Sequence, residues 1–104
     1  MAQLSVHRNP DSGSRSEVPF VLILQHDLLA DLATVVVAPL FEAHAFGTPA
    51  AILNPTFVVE DRRVVLSTAE LAGISRSNLG EEVATLTHER DNVMAALDLL
   101  FTGI

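Results

Sequence analysis

The clearest hydrophobic pattern lies at the end of the chain, over Thr87 to Ile104. At about 100° per residue, Val93, Leu97, Leu100, Phe101 and Ile104 fall on one face, and Asp91, Ala95, Asp98 and Thr102 on the opposite one. The spacing predicts an amphipathic helix whose apolar face lies against the core. Thr87 stands where a hydroxyl caps a first turn, and Glu89 and Asp91 suit the positive end of the helix dipole. Gly103 marks the stop, because glycine takes left-handed backbone angles at little cost.

Upstream, the pattern is that of strands. Gln3 to His7 alternates apolar and polar residues and reads as half-buried, and Arg8 to Glu17 has loop chemistry. Phe20 to Gln25 is continuously apolar up to Leu24, as in a strand covered on both faces. His26 to Ala33 reads as a short turn, and Thr34 to Ala38 as a strand that Pro39 ends or confines to an edge. Phe41 to Ala51 reads as an irregular excursion. Phe57–Glu60 and Arg63–Ser67 flank Asp61-Arg62 at the spacing of a tight hairpin. Ala69 to Ala72 is one helical turn stopped by Gly73, and the polar stretch 75–86, broken at Gly80, holds a short strand at Val83. Strands followed by a terminal helix predict a single β-rich α+β domain over residues 1–104. Its architecture is an SH3-like barrel of mostly antiparallel strands plus a C-terminal helix.

Composition narrows the class. An apolar fraction of 49% requires a packed globule, and the absence of cysteine removes disulfides and thiolate sites. All six basic side chains other than histidine are arginine, and the formal charge of -7 opposes non-specific binding to nucleic acid. Met1 to Leu4 lacks the signature of a signal peptide, and the longest apolar run, Val18 to Leu24, is too short to span a bilayer. The expected location is the cytoplasm, with no membrane partner.

No chemistry-bearing motif emerges. His7, His26, His44 and His88 are scattered, and no second histidine follows His88-Glu89 at zinc-site spacing, so no metal or cofactor is expected. There is no Gly-x-Ser-x-Gly elbow and no phosphate loop. Glu60-Asp61 reads as a turn and Glu81-Glu82 as solvated surface. Arg62-Arg63, the one basic doublet, reads as a partner contact or as charge that blunts a hairpin edge. No catalytic residue is assigned. Leu99, Leu100, Phe101 and Ile104 spread apolar surface beyond one helix face, which favours burial against a second copy.

The segment Leu79-Gly80-Glu81-Glu82-Val83-Ala84-Thr85-Leu86-Thr87-His88-Glu89-Arg90-Asp91-Asn92, followed by Ala96 to Phe101 and by Gly103-Ile104, resembles the CcdB toxin family. So do Val6 to Pro10, Asp27 to Leu29, Val35 to Leu40 and Leu53 to Pro55, in matching order. The resemblance implies the fold shared by CcdB and MazF toxins, and a homodimer. It also implies the toxin role in a CcdA/CcdB-type module, often one of plasmid maintenance. Such toxins bind the DNA gyrase A subunit and trap the cleaved-DNA complex, and a CcdA-type antitoxin reverses this. A MazF-like ribonuclease needs a basic groove that the net charge disfavours.

By resemblance, gyrase binding falls to Phe101, Thr102, Gly103 and Ile104. Antitoxin binding falls to the loop residues Arg8, Asn9, Asp11, Ser12 and Arg15, together with surface near the terminal helix. One position departs from the pattern. The family's plasmid toxin ends Phe-Trp-Gly-Ile and needs its Trp-Gly-Ile for poisoning, whereas this chain carries Thr102 in place of the tryptophan. An aromatic on that exposed stripe stacks on an arginine for about 0.5–2 kcal/mol. Losing a central aromatic anchor costs ~2 kcal/mol or more. The alternative reading is therefore a relative that keeps antitoxin binding but has lost or changed its gyrase target.

Overall fold

A computed structural model describes residues 2–104. At its centre, β2 (Phe20–Ile23) runs antiparallel to β3 (Thr34–Glu42), with Phe20 opposite Leu40 and Ile23 opposite Val37. Around this pair the described residues add β1 (Ser5–Arg8), β4 (Thr56–Val59), β5 (Arg62–Leu66), β6 (Ala72–Ser75) and β7 (Glu82–Thr85). The order is β4-β5-β3-β2-β1-β7, with β6 also on β3, and every pairing is antiparallel. The sheet curls into a half-barrel with β4 and β7 at its two ends. A four-residue helix, α1 (Ala43–Phe46), and the C-terminal helix α2 (Arg90–Thr102) complete the β-rich α+β fold.

Both faces of β2 are buried, as its unbroken apolar run predicts. Phe20 and Leu22 enter the main core with Leu4, Leu40, Phe57, Leu66, Leu86 and Val93. Val21 and Ile23 join Val35 and Val37 on the other side, beneath Ile74 and Leu79. Each such side chain contributes about 1.5–3 kcal/mol by leaving water.

Several expected boundaries move. β1 begins at Ser5 because Leu4 takes φ +70°, while its N–H donates to Ile23 and its carbonyl accepts from Leu86. Pro39 does not end its strand, which continues to Glu42. It sits opposite Val21, where β3 exchanges one partner for another: β6 pairs through Val37, and β5 pairs from Leu40. The missing N–H falls in that gap, where the Pro39 carbonyl still accepts from Ser67 N at 3.0 Å. Phe41 and Glu42 therefore belong to β3, and α1 replaces part of the expected excursion.

The hairpin turn is one residue earlier than expected, at Glu60-Asp61. Val59 pairs with Arg62, and both turn residues take positive φ, +50° and +63°, as a two-residue primed turn requires. The expected helical turn is a 3₁₀ turn at Thr68–Glu70, and Gly73 lies inside β6 opposite Val36 rather than at a stop. The strand at Val83 is present as β7. Thr87 does not cap α2. It opens a 3₁₀ turn, Thr87–Glu89, and Glu89 takes the cap position, its carboxylate accepting from Asn92 Nδ2 at 2.7 Å. Gly103 ends the helix in the left-handed conformation at φ +78°, its N–H bonded to the Leu99 carbonyl at 3.1 Å.

Candidate functional site

Two separate surfaces carry the residues that the sequence singles out. The first is the end of α2. Only Val93 and Ala96 of this helix are buried; Met94, Leu97, Leu99 and Leu100 are partly so, and every residue beyond Leu100 is exposed. Phe101 and Ile104, expected on the core face, are 68% and 90% exposed. The opposite stripe behaves as predicted: Asp91, Ala95, Asp98 and Thr102 are all exposed. Thr102 spends its hydroxyl inside the helix, Oγ1 donating to the Asp98 carbonyl at 2.7 Å. Phe101, Thr102, Gly103 and Ile104 thus form one exposed tip.

Beside the tip runs an apolar groove of about 370 Å³, lined by Leu24, Gln25, His26, Leu29, Val36, Leu71, Leu97 and Phe101. Its outer wall is the 3₁₀ turn Asp27–Leu29, where His26 Nδ1 accepts from Leu28 N at 3.0 Å. Gln25 ties the wall to β3, donating to the carbonyls of Leu29 and Thr34 and accepting from Val36 N. Arg76 supports it from the 3₁₀ turn that follows β6, through bonds to the carbonyls of Leu32 and Leu29. Sequence reasoning missed Leu24, His26, Leu29 and Leu71 as groove residues. The only signal was the density of leucines in a stretch read as a turn.

The second surface lies at the other end of β2. Asn9 is buried and organises the loop that follows β1: its Nδ2 donates to Ser14 Oγ at 2.9 Å and to the Val18 carbonyl at 2.8 Å, and its Oδ1 accepts from Asp11 N at 3.0 Å. Asp11 in turn accepts from Gly13 N and Ser14 Oγ. The loop is folded on itself, and Asn9 faces inward rather than outward. Ser12 is exposed at its tip.

Arg8 and Arg15 meet Arg62 around a hollow of about 340 Å³ that Ser16, Pro19 and Glu42 complete. Arg8 donates to Glu81 at 3.1 Å and to Glu60 at 3.2 Å. The hydrogen bond it donates to Glu81 holds its guanidinium above the ordinary value; desolvation opposes this, and the charge of Glu60 adds to it. Arg62 pairs with Glu42 at 3.3 Å and lies 5.9 Å above the Phe20 ring. Arg15 Nε donates to the Asn9 carbonyl at 3.0 Å. The Arg62-Arg63 doublet does not blunt an edge, since β5 is an interior strand between β4 and β3. It splits instead: Arg62 enters this hollow, while Arg63 lines another with His88 and Glu89.

Among the described residues no group of three or more His, Cys, Asp or Glu is placed to hold a metal ion, and no helix is long and apolar enough to cross a membrane. These features define a β-rich half-barrel that carries its sequence-marked residues, Asn9 apart, on open surfaces. The sequence matches the family described as CcdB protein over residues 3–103, and the chain belongs to that family. No curated protein sequence matches it. CcdB proteins are toxins of toxin–antitoxin modules that poison DNA gyrase and do not themselves catalyse a reaction.

Proposed function

We propose that this chain is the non-enzymatic toxin of a CcdA/CcdB-type module. It acts in the cytoplasm on the DNA gyrase A subunit and traps the cleaved-DNA complex through Phe101, Thr102, Gly103 and Ile104. The observation that carries this reading is the exposed helix end, standing clear of the core in a chain that matches the CcdB family over nearly its whole length. A CcdA-type antitoxin engages the loop after β1, with Arg8, Asp11, Ser12 and Arg15 as contacts and Asn9 as the residue that shapes them. This loop and the α2 tip lie toward opposite ends of β2. A segment touching both spans the strand and its flanks, about 16 Å for five residues.

The working unit is a homodimer closed over the apolar groove. Leu29, Leu71 and Leu97 at a two-fold axis bury surface that a monomer leaves in water, which favours a self-complementary contact and leaves the α2 tip open for gyrase. Sedimentation at micromolar concentration checks this; a monomer there refutes it.

Thr102 favours a second reading, in which antitoxin binding survives but the gyrase target is lost or changed. The side chain is bonded back to Asp98 and offers no aromatic face. Induction in bacteria with and without the adjacent gene, followed by a gyrase cleavage assay, separates the two. Growth arrest with cleaved-DNA complexes supports the first. Antitoxin binding without arrest or cleavage supports the second.

A further inference from the structure

The chain carries a formal charge of -7 and only six arginines, yet three of them line one hollow of about 340 Å³. The fold brings them there from three distant segments: Arg8 ends β1, Arg15 sits on the loop that follows, and Arg62 opens β5. Each is held by part of its guanidinium. Arg8 uses Nε and one terminal nitrogen, Arg62 one terminal nitrogen, and Arg15 only Nε. A guanidinium has five N–H donors in a planar fork, so these bonds leave further donors on each of the three side chains that line the hollow. The ligands already on Arg8 and Arg62 are carboxylates, at 3.1–3.3 Å. Pro19 supplies an apolar wall against which an aliphatic stem can pack.

We infer that this hollow receives an acidic segment of the antitoxin, with Asp or Glu carboxylates seated among Arg8, Arg15 and Arg62. The inference rests on the antitoxin reading for the identity of its occupant and adds to it the chemistry of the contact. Charge-assisted, two-pronged bonds to arginine make carboxylates the ligands such a fork selects. The site also explains why Arg62, far from the loop in sequence, belongs to the same surface.

The test is an NMR titration that follows the Nε–Hε signals of the six arginines, with a capped hexa-glutamate peptide and inorganic phosphate as probes. The expected result is saturable movement of Arg15 and Arg62 with the peptide while Arg76 and Arg90 stay still. The Arg15→Gln/Arg62→Gln double variant should bind at least tenfold more weakly. Arg15→Gln alone, on an exposed residue held by one bond, keeps the test valid where the double variant misfolds. Even movement of all six arginines, undiminished binding by the variants, or equal movement with phosphate at the same concentration overturns the inference. An antitoxin that neutralises the variants as well as it does the unaltered protein also overturns it while leaving the antitoxin reading intact. Peptide binding lost in the variants, with no antitoxin complex formed by the unaltered protein, sinks the antitoxin reading and leaves an acidic-peptide site.

Discussion

Arg8 and Glu60 are 52 positions apart in the chain, and their side chains meet at 3.2 Å. The same guanidinium reaches Glu81 at 3.1 Å. Because β4 and β7 are the two ends of the sheet order, Arg8 ties the turn between β4 and β5 to the approach to β7, and so clasps the open side of the half-barrel.

All three groups are exposed, so the clasp is screened by salt. Arg8→Ala should lower the melting temperature at low ionic strength, and calorimetry in molar salt should find most of the difference gone. The guanidinium is raised above its ordinary value in the folded state. Its contribution is therefore complete below the ordinary arginine range and lost only as pH rises through the folded value. A salt-independent loss would instead assign Arg8 a packing role.

Gly80 is the second fixed point of this seam. A Cβ there would run into the Arg8 carbonyl, which is backbone and cannot swing aside, and the Gly80 carbonyl itself receives His7 Nδ1 at 2.9 Å. Gly80→Ala should cost about 1–3 kcal/mol. That corresponds to a fall of several degrees in melting temperature, at about 4–8 °C per kcal/mol for a domain near this size. Gly73, with open space around it, should accept alanine at far lower cost, and measuring both separates close approach from a general glycine effect.

What could be read in the sequence was whatever depends on neighbours along the chain. The double-sided burial of Phe20 to Ile23, the short strand at Val83, the exposed stripe of α2 and the Gly103 stop all follow from local pattern. What escaped depends on partners elsewhere. Pro39 reads as a strand end until β5 and β6 are seen to hand over opposite it. The 3.6-residue period places Phe101 and Ile104 on the core face, but periodicity does not report where the core stops. The candidate surfaces divide in the same way. The α2 tip is a continuous stretch, whereas Arg62 joins Arg8 and Arg15 only through the path of the sheet.

Asn9 illustrates a different gap. Loop composition marks it as surface, yet its amide fills three hydrogen bonds and is almost entirely buried. Asn9→Ala strands the Val18 carbonyl and Asp11 N–H, at about 1–3 kcal/mol for an unsatisfied buried group. It should also weaken antitoxin binding indirectly, because the side-chain bonds it removes hold the loop in the shape that sets the backbone carbonyl of Asn9 against Arg15. Ser12→Ala, at the exposed tip, should leave stability unchanged. Equal thermal stability of Asn9→Ala and the unaltered protein would show that the loop is shaped by other contacts.

Thr102 gives the most direct test of the toxin reading. The residue is exposed on the polar stripe, and its one side-chain bond is the return to the Asp98 carbonyl. Such a back-bond adds little to a helix and often strains it, so replacing the side chain costs the fold almost nothing. Thr102→Trp should keep the unfolding free energy within about 0.5 kcal/mol of the unaltered protein, the usual range for a surface change. If the tip binds gyrase, the indole restores an aromatic anchor worth ~2 kcal/mol. Half-maximal DNA cleavage should then need roughly thirtyfold less protein. Asp98→Trp, one turn earlier on the same stripe, controls for exposed aromatic surface in general and should give no such gain. An unchanged cleavage curve from a folded Thr102→Trp protein would remove the tip from the gyrase contact.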